Sequence, residues 1–227
     1  MINPLKFFYH NILPLGVKDK VEQWREPRRQ TKNLYSQAYC ATRSVFIHIP
    51  KTAGTSVSQA LYGGQPWHHT ARSYYQADPE RFRQFFSFAF VRNPWDRLLS
   101  TYHYACKISD PVYRGPLSSI AKCQNFEAFV MTWCNAERIN EHYFLKPQFD
   151  YLTLDDQQIG VDYVGRFETL NQSFAHICEQ LSVKAELPSL NQSKGKTDFR
   201  ESYTPAMVDK VASLYDRDIK SFHYAFE

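Results

Sequence analysis

Three short runs along the chain have the pattern of buried strands. They are Ser44 to Ile47, Phe85 to Val91 and Tyr163 to Glu168. The second run is aromatic and β-branched, which suits a strand covered on both faces. A helix-like segment follows each run along the chain. Strands that alternate with helices predict an α/β fold, a P-loop-like three-layer arrangement with a mainly parallel central sheet flanked by helices.

The last part of the chain predicts two more helices. One runs from about Leu170 to Leu181, directly after the third strand. The other is a terminal helix from about Pro205 to Phe222, because apolar residues recur there at helical spacing. Its predicted apolar face consists of Ala206, Val208, Val211, Leu214, Tyr215 and Ile219.

Size and composition fit one domain with a short extension. The chain has 227 residues, of which 43% are apolar and 16% aromatic, enough for a substantial core. Lys18 to Asn33 is polar and charged, so residues 1–38 are predicted to form an N-terminal arm or helical extension. Residues 39–227 are predicted to form a single domain.

The charge balance limits the classes of ligand. A net charge of +4 suits a doubly phosphorylated nucleotide, and it falls short of the basic stripe of a nucleic-acid binder. The five cysteines show neither a C-x-x-C pair nor zinc spacing, so buried free thiols and no metal site are expected. A disulfide between Cys106 and Cys123 is the alternative.

The first chemical motif follows the first strand. The segment His48 to Val57 places a lysine, a glycine and hydroxyl side chains at a turn into a helix. The first N–H groups of a helix have no internal partner and the helix dipole is positive there, so this turn predicts an anion site. Gly54 allows close approach of the backbone, Thr55 and Ser56 add hydroxyls, and Lys51 adds a charge.

The second motif follows the second strand. Asn93 is suited to cap a helix whose first residue is Pro94, because proline lacks the N–H that would be unpaired there. Arg92 at the strand end and Ser100, about two turns into the helix, then converge on one anion. Ligands of parallel α/β sheets bind at the carboxyl ends of the strands, where Lys51 and Arg92 both fall.

Together the two motifs resemble those of the sulfotransferases that use 3′-phosphoadenosine 5′-phosphosulfate (PAPS). In the nucleotide triphosphatase loop the lysine comes after the second glycine, whereas here Pro50-Lys51-Thr52-Ala53-Gly54-Thr55-Ser56 places it first. The resemblance is strongest to the carbohydrate-type, family 2-like branch, and to its bacterial members. It implies that Lys51, Thr52, Ala53, Gly54, Thr55 and Ser56 bind the 5′-phosphosulfate and that Arg92 and Ser100 bind the 3′-phosphate.

Weaker matches to the same family lie in the last third of the chain. Val161 to Glu168 resembles a strand that ends in Gly-Arg-Phe-Glu, and Leu190 to Lys194 resembles a loop that closes over the nucleotide. These matches imply that Arg166, Ser193, Lys194 and Tyr203 contact the cosubstrate. A structural ion pair for Arg166 and a surface turn at Lys194 are the alternatives.

The resemblance also implies a mechanism. Sulfuryl transfer is an in-line displacement in which Lys51 would stabilise charge on the leaving phosphate of adenosine 3′,5′-bisphosphate, without a metal. His68 and His69 lie between the two motifs, and the spacing of His68 before Thr70-Ala71 favours it as the base that takes the acceptor's proton. Glu80 is an alternative base, although its surroundings have the pattern of an ordinary helix start.

Other functions and the cellular setting are judged from the same features. A small-molecule kinase, or a noncatalytic nucleotide-binding protein, is the alternative to a sulfotransferase. Met1 to Val17 is too short and too interrupted to span a bilayer, so we expect a cytoplasmic enzyme with no transmembrane segment. A carbohydrate or small-molecule acceptor is expected as partner, and no nucleic acid; the oligomeric state is not indicated.

Overall fold

A computed structural model describes residues 34–64, 67–107, 117–155, 158–188 and 198–227. Three parallel strands form the sheet: β1 (Ser44–Ile47), β2 (Phe86–Val91) and β3 (Tyr163–Arg166). They lie in the order β1-β2-β3, with Val45 opposite Ser87 and Ala89 opposite Val164. The crossovers between them contain helices, so the predicted α/β fold class is confirmed.

Helices fill the connections of the sheet. Ahead of β1 lies α1 (Gln37–Thr42), and between β1 and β2 lie α2 (Gly54–Tyr62), α3 (Ala71–Ala77) and α4 (Pro79–Gln84). Between β2 and β3 lie α5 (Pro94–Lys107), α6 (Ser118–Ala121), α7 (Phe126–Ala128), α8 (Ala136–Glu141) and α9 (Gln148–Leu152). A π-helical turn, Phe129–Trp133, continues α7.

The helices after β3 differ in part from the prediction. The first, α10 (Leu170–Gln180), lies where a helix was predicted, and a 3₁₀ turn, Phe199–Ser202, precedes the last pair. The single terminal helix predicted from Pro205 to Phe222 is wrong. It is two helices, α11 (Pro205–Leu214) and α12 (Asp216–Phe222).

Tyr215 causes this break. Its backbone leaves the helical conformation, with φ −117° and ψ 25°, while its buried hydroxyl donates to the carbonyl of Leu145 at 2.7 Å. The predicted apolar face is also wrong at Ala206, which is exposed, whereas its neighbour Met207 is buried. Tertiary anchoring of one tyrosine therefore overrides a continuous helical pattern.

Two apolar clusters support the site. One surrounds the sheet and includes Phe46, Phe88 and Phe90, and the other joins α5 to α11 through Leu98 and Val211. Tyr35 is buried in the first cluster, although it precedes the predicted domain start at residue 39. The division at residue 38 stays a prediction, since residues 1–33 of the predicted arm lie outside the described residues.

All five cysteines are free thiols, as expected, but the expectation that they are buried is wrong for Cys40 and Cys106, which are exposed; Cys134 is buried. Burial raises the pKa of Cys134 to about 12 and also raises the pKa of Cys123. The alternative pairing of Cys106 with Cys123 is not formed.

Candidate active site

The turn between β1 and α2 is built as a concave loop. Lys51 and Ala53 have φ values of 70° and 67°, and Thr52 between them does not share this conformation. A left-handed conformation costs a non-glycine residue about 1–2 kcal/mol. Backbone that alternates in this way turns successive N–H groups toward one concavity, which suits an anion.

The donors of this loop have few partners of their own. The N–H groups of Thr52, Ala53, Gly54 and Thr55 have no acceptor within the described part of the chain. The hydroxyl of Thr52 is buried and donates to the carbonyl of Ile49 at 3.0 Å, so it shapes the loop. The hydroxyls of Thr55 and Ser56 have no partner among the described residues and remain available to a ligand.

Gly54 is required by a close neighbour. A Cβ at this position would lie 1.9 Å from Cδ2 and 2.1 Å from Nε2 of His48. The His48 side chain, buried at the end of β1, therefore packs directly against the backbone of the loop. Gly54 was predicted to allow close approach of a ligand, and in the structure it also allows the close approach of His48.

Lys51 lies over an aromatic ring. Its ammonium nitrogen is 4.0 Å from the centroid of Tyr104 on α5, a cation–π contact. Burial first, and then the positive charges of Arg92 and Lys107, lower the pKa of Lys51 to about 8. The charged form of the lysine is therefore disfavoured by burial and by neighbouring positive charge, and a bound anion would offset both effects.

Arg92 connects the two predicted motifs. Its Nε and one terminal nitrogen donate to the two oxygens of Asp96, each at 2.8 Å, and Nη1 donates to the carbonyl of Lys51 at 3.1 Å. The guanidinium also lies 4.0 Å from the ring centroid of Phe167. The arginine at the end of β2 is thus held in one orientation beside the loop after β1.

The second motif also forms the predicted helix start. The side chain of Asn93 accepts from the N–H of Trp95 at 3.1 Å and so caps α5. Ser100 lies one helical turn beyond Asp96 on α5, on the face that holds Arg92, and it is partly buried. Its hydroxyl has no partner among the described residues.

Two residues that were not among the predicted site residues hold these parts together. Arg97 is buried, and its guanidinium donates to the carbonyls of Pro50, Phe144 and Lys146, each at 3.1 Å. Gln148 is also buried. Its amide accepts from the N–H of Arg92 at 2.9 Å and donates to the carbonyl of Arg92 at 2.8 Å.

Only weak signals in the sequence point to these two residues. Arg97 belongs to the second motif, but nothing local shows that it is buried. Gln148 is separated from Arg92 by 56 positions, so its contact depends on the fold.

The two predicted histidines have different surroundings. Nδ1 of His68 lies 2.7 Å from the carbonyl oxygen of His48, and the two rings are 4.2 Å apart. Burial first, and then His48, lower the pKa of His68 to about 3, so its ring is neutral. His69 instead packs edge-on against the buried Tyr74, with ring centroids 5.9 Å apart. His68, through His48, is therefore the histidine that the fold brings to the loop.

A model of the sulfotransferase family matches residues 42–225. The chain belongs to the sulfotransferase family. This match confirms the family predicted from the two motifs, and it covers β1, β2 and β3. No curated protein and no solved structure matches the chain significantly.

Two other predicted contacts of this sulfotransferase bond to backbone carbonyls of the protein itself. Arg166 donates to the carbonyl of Phe222 and lies 4.7 Å from the ring centroid of Tyr224. The hydroxyl of Tyr203 donates to the carbonyl of Trp95 at 2.8 Å. Ser193 and Lys194 lie outside the described residues. The roles of all four residues in binding stay predictions.

Glu168, which follows Arg166-Phe167, ties the same region to the second motif. One carboxylate oxygen accepts from the N–H of Asn93 at 2.7 Å, and the other accepts from the hydroxyl of Tyr224 at 3.0 Å. Burial first, and then Glu168, raise the pKa of Tyr224. Glu168 therefore connects Tyr224 to the backbone at the start of α5.

Three further findings concern metals, membranes and the alternative base. In the described ranges, no group of three or more His, Cys, Asp or Glu side chains is placed to hold a metal ion. Among the same residues, none of the helices has the length and apolar character needed to cross a bilayer. Glu80 is exposed in the first turn of α4, where Asp78 caps the helix, as its sequence pattern predicted.

Proposed function

We propose that this sulfotransferase moves a sulfuryl group from PAPS to a hydroxyl of a carbohydrate or glycoconjugate, with His68 as the base. The observation that carries the proposal is the position of His48. Its ring packs against Gly54 of the anion loop, and its carbonyl holds Nδ1 of His68 at 2.7 Å. One strand end therefore positions both the candidate donor site and the candidate base.

The loop after β1 supplies donors for the 5′-phosphosulfate. Backbone N–H groups of residues 52–55 and the hydroxyls of Thr55 and Ser56 are available there, and protonated Lys51 adds a charge. Positive charge beside the bridging oxygen stabilises the transition state, because negative charge grows on the leaving phosphate. Protein donors would fill the role that a metal ion fills in many phosphoryl transfers.

The 3′-phosphate is assigned to Arg92 and Ser100. Three of the five N–H groups of the Arg92 side chain are engaged by Asp96 and by the Lys51 carbonyl. The remaining two have no partner among the described residues, and the hydroxyl of Ser100 is also available. A guanidinium held in this way loses little freedom when an anion binds.

The tautomer of His68 supports its role as base. A carbonyl oxygen only accepts, so Nδ1 carries the proton and Nε2 carries the lone pair. In the proposed step, Nε2 takes the proton of the acceptor hydroxyl while the oxygen of that hydroxyl bonds to sulfur. The bond between sulfur and the bridging oxygen breaks, and its electron pair leaves with adenosine 3′,5′-bisphosphate. The His48 carbonyl stabilises the imidazolium that forms.

The test is transfer of label from sulfur-labelled PAPS to a panel of neutral glycosides, acidic oligosaccharides and simple alcohols. Labelled product that depends on enzyme and on PAPS supports the proposal. ATP with magnesium serves as the control for the kinase alternative. If the protein binds neither PAPS nor adenosine 3′,5′-bisphosphate and transfers label to no acceptor, the proposed function is wrong.

A further inference from the structure

Exposed aromatic side chains flank both candidate catalytic groups. Three large apolar side chains of the described residues are more than a third exposed: Trp67 at 50%, Tyr104 at 39% and Met131 at 37%. Trp67 adjoins His68, with ring centroids 5.9 Å apart, and the Lys51 ammonium lies over the ring of Tyr104. Single exposed apolar side chains are common, but two that bracket one site indicate a ligand surface.

A continuous set of ring contacts joins these two side chains. Tyr104 lies 5.6 Å from Phe144, Phe144 lies 4.5 Å from Tyr143, and Tyr143 lies 5.9 Å from Trp67, measured between centroids. We call Trp67, Tyr104, Tyr143 and Phe144 the aromatic wall. The ring of His68 lies against its middle, 5.5 Å from Tyr143 and 6.1 Å from Phe144. The wall therefore extends from the candidate lysine to beyond the candidate base.

The buried part of the scaffold holds this wall in place. Arg97 donates to the carbonyls of both Phe144 and Pro50, so one guanidinium connects the wall to the segment that precedes Lys51. Phe144 is buried behind Tyr104, while Trp67 and Tyr104 present their rings to solvent. A surface fixed in this way binds a ligand with little loss of its own conformational freedom.

The chemistry of the wall favours an uncharged ligand. None of its four side chains carries a charge, and Lys51 is assigned to the donor. Lys107, exposed at the end of α5, lies one turn from Tyr104 and close enough to Lys51 to lower the pKa of that lysine, so its charge belongs to the donor end of the wall. Aromatic faces carry partial negative charge, so they attract the C–H face of a ring and repel carboxylate or sulfate groups.

We propose that Trp67 and Tyr104 form an acceptor subsite that selects an uncharged ring alcohol over a polyanionic chain. The ring stacks its flat apolar face on Trp67 and directs one hydroxyl to Nε2 of His68. Both a neutral pyranoside and a phenol have this chemistry. The inference rests on the proposed sulfotransferase function and names the residues that set its acceptor specificity.

The experiment measures acceptor kinetics of the full-length protein with octyl glucoside, 2-naphthol and a desulfated heparin oligosaccharide. For the neutral acceptor that the enzyme uses, Trp67→Ala raises KM by roughly tenfold, the effect of losing one stacking contact. Trp67→Phe keeps most of the affinity, because a flat ring remains. Comparison of the glucoside with the naphthol distinguishes the two sources of the ring.

Two controls separate this subsite from the donor site. Met131→Ala removes a similarly exposed apolar side chain and leaves acceptor KM unchanged. The backbone carbonyl of Met131, which accepts from Lys210 on α11, is retained in this variant. Affinity for adenosine 3′,5′-bisphosphate is the same in Trp67→Ala and wild type. An unchanged KM in Trp67→Ala, or a wild-type preference for the heparin oligosaccharide, overturns the inference while sulfuryl transfer persists. Absence of both nucleotide binding and transfer in the wild type overturns the proposed function, and the inference with it.

Discussion

Nδ1 of His68 donates to the backbone carbonyl of His48 across 2.7 Å. His48 directly follows β1, so the strand that carries the anion loop also determines which nitrogen of His68 holds the lone pair. The link is between a side chain and a backbone atom, and it persists whatever side chain occupies position 48. Mutations can test the effect of this hydrogen bond on turnover separately from its effect on the pH dependence of kcat/KM.

His68→Ala should lower turnover by roughly 100-fold or more, the usual effect of losing a general base. Affinity for adenosine 3′,5′-bisphosphate should stay within about twofold of wild type, because the hydrogen bond of His68 within the described residues goes to the His48 carbonyl and to none of the loop donors. Single-turnover kinetics and calorimetric titration measure the two quantities. His69→Ala is the matched control. Its ring packs against Tyr74, so turnover should fall by less than about threefold.

The opposite result would decide against His68. A His68→Ala protein within about threefold of wild-type turnover would remove it from the mechanism. A large loss in His69→Ala with a folded protein would then assign the base to His69.

The pH dependence should be set by Lys51 on the alkaline side. Its pKa is lowered to about 8, and the protonated form is the one that binds and stabilises the anion. Therefore kcat/KM should fall as pH rises through about 8 in the free enzyme. Lys51→Arg should remove this alkaline limb while lowering the rate, because a guanidinium stays protonated there. An unchanged alkaline limb in Lys51→Arg would assign the titration to another group.

His68 should contribute no acid limb near neutrality. Its pKa is lowered to about 3, so the ring is almost entirely neutral from about pH 5 upward. From about pH 5 to pH 7, kcat/KM should therefore show no loss that His68 protonation causes. A sigmoidal decrease near pH 6.5 that His68→Gln abolishes would contradict the burial of this ring.

The parts of the site that local pattern encodes were predicted from the sequence. Apolar runs define the strands, and the residues after them lie at the carboxyl edge of a parallel sheet, so both Lys51 and Arg92 were predicted at that edge. The structure joins them directly by the contact of Nη1 with the Lys51 carbonyl. Asn93 and Pro94 likewise carry the signal of a helix start in their own chemistry.

The rest depends on contacts between distant parts of the chain. Gln148 pairs with Arg92, and Tyr203 donates to Trp95, 108 positions away. A side chain that donates to a backbone carbonyl leaves no partner residue type to recognise in the sequence. For this reason Tyr203 could be predicted as a ligand contact, while its bond to Trp95 could not be foreseen.

Gly54→Ala should weaken both folding and the base. The added Cβ would meet the His48 ring at 1.9 Å, so the ring must move, and it would disturb the His68 ring whose centroid lies 4.2 Å away. We expect a loss of about 1–3 kcal/mol in unfolding free energy, typical of overpacking, and reduced turnover. Urea denaturation and steady-state kinetics measure these effects.

A double-mutant cycle tests the cause of that loss. In a His48→Ala background the clash is absent, so Gly54→Ala should cost much less than it does in the wild type. Equal costs in both backgrounds would show that the glycine is needed for its backbone conformation or for ligand approach, and that contact with His48 is not the reason.

Recognition of the 3′-phosphate should appear as a difference between nucleotides. Arg92 is oriented by Asp96 and retains N–H groups for a ligand, and Ser100 lies one turn beyond Asp96. Adenosine 3′,5′-bisphosphate should therefore bind at least about tenfold more tightly than AMP, because a charge-assisted hydrogen bond contributes roughly 1.5–3 kcal/mol.

Ser100→Ala should reduce this ratio while leaving AMP affinity unchanged, since AMP lacks the group that Ser100 would contact. Arg92→Ala is a less specific variant, because it also releases the Lys51 carbonyl and so disturbs the 5′ site. Equal affinities for the bisphosphate and AMP in the wild type would refute the assignment of Arg92 and Ser100, and tight magnesium-dependent binding of ATP would favour a kinase.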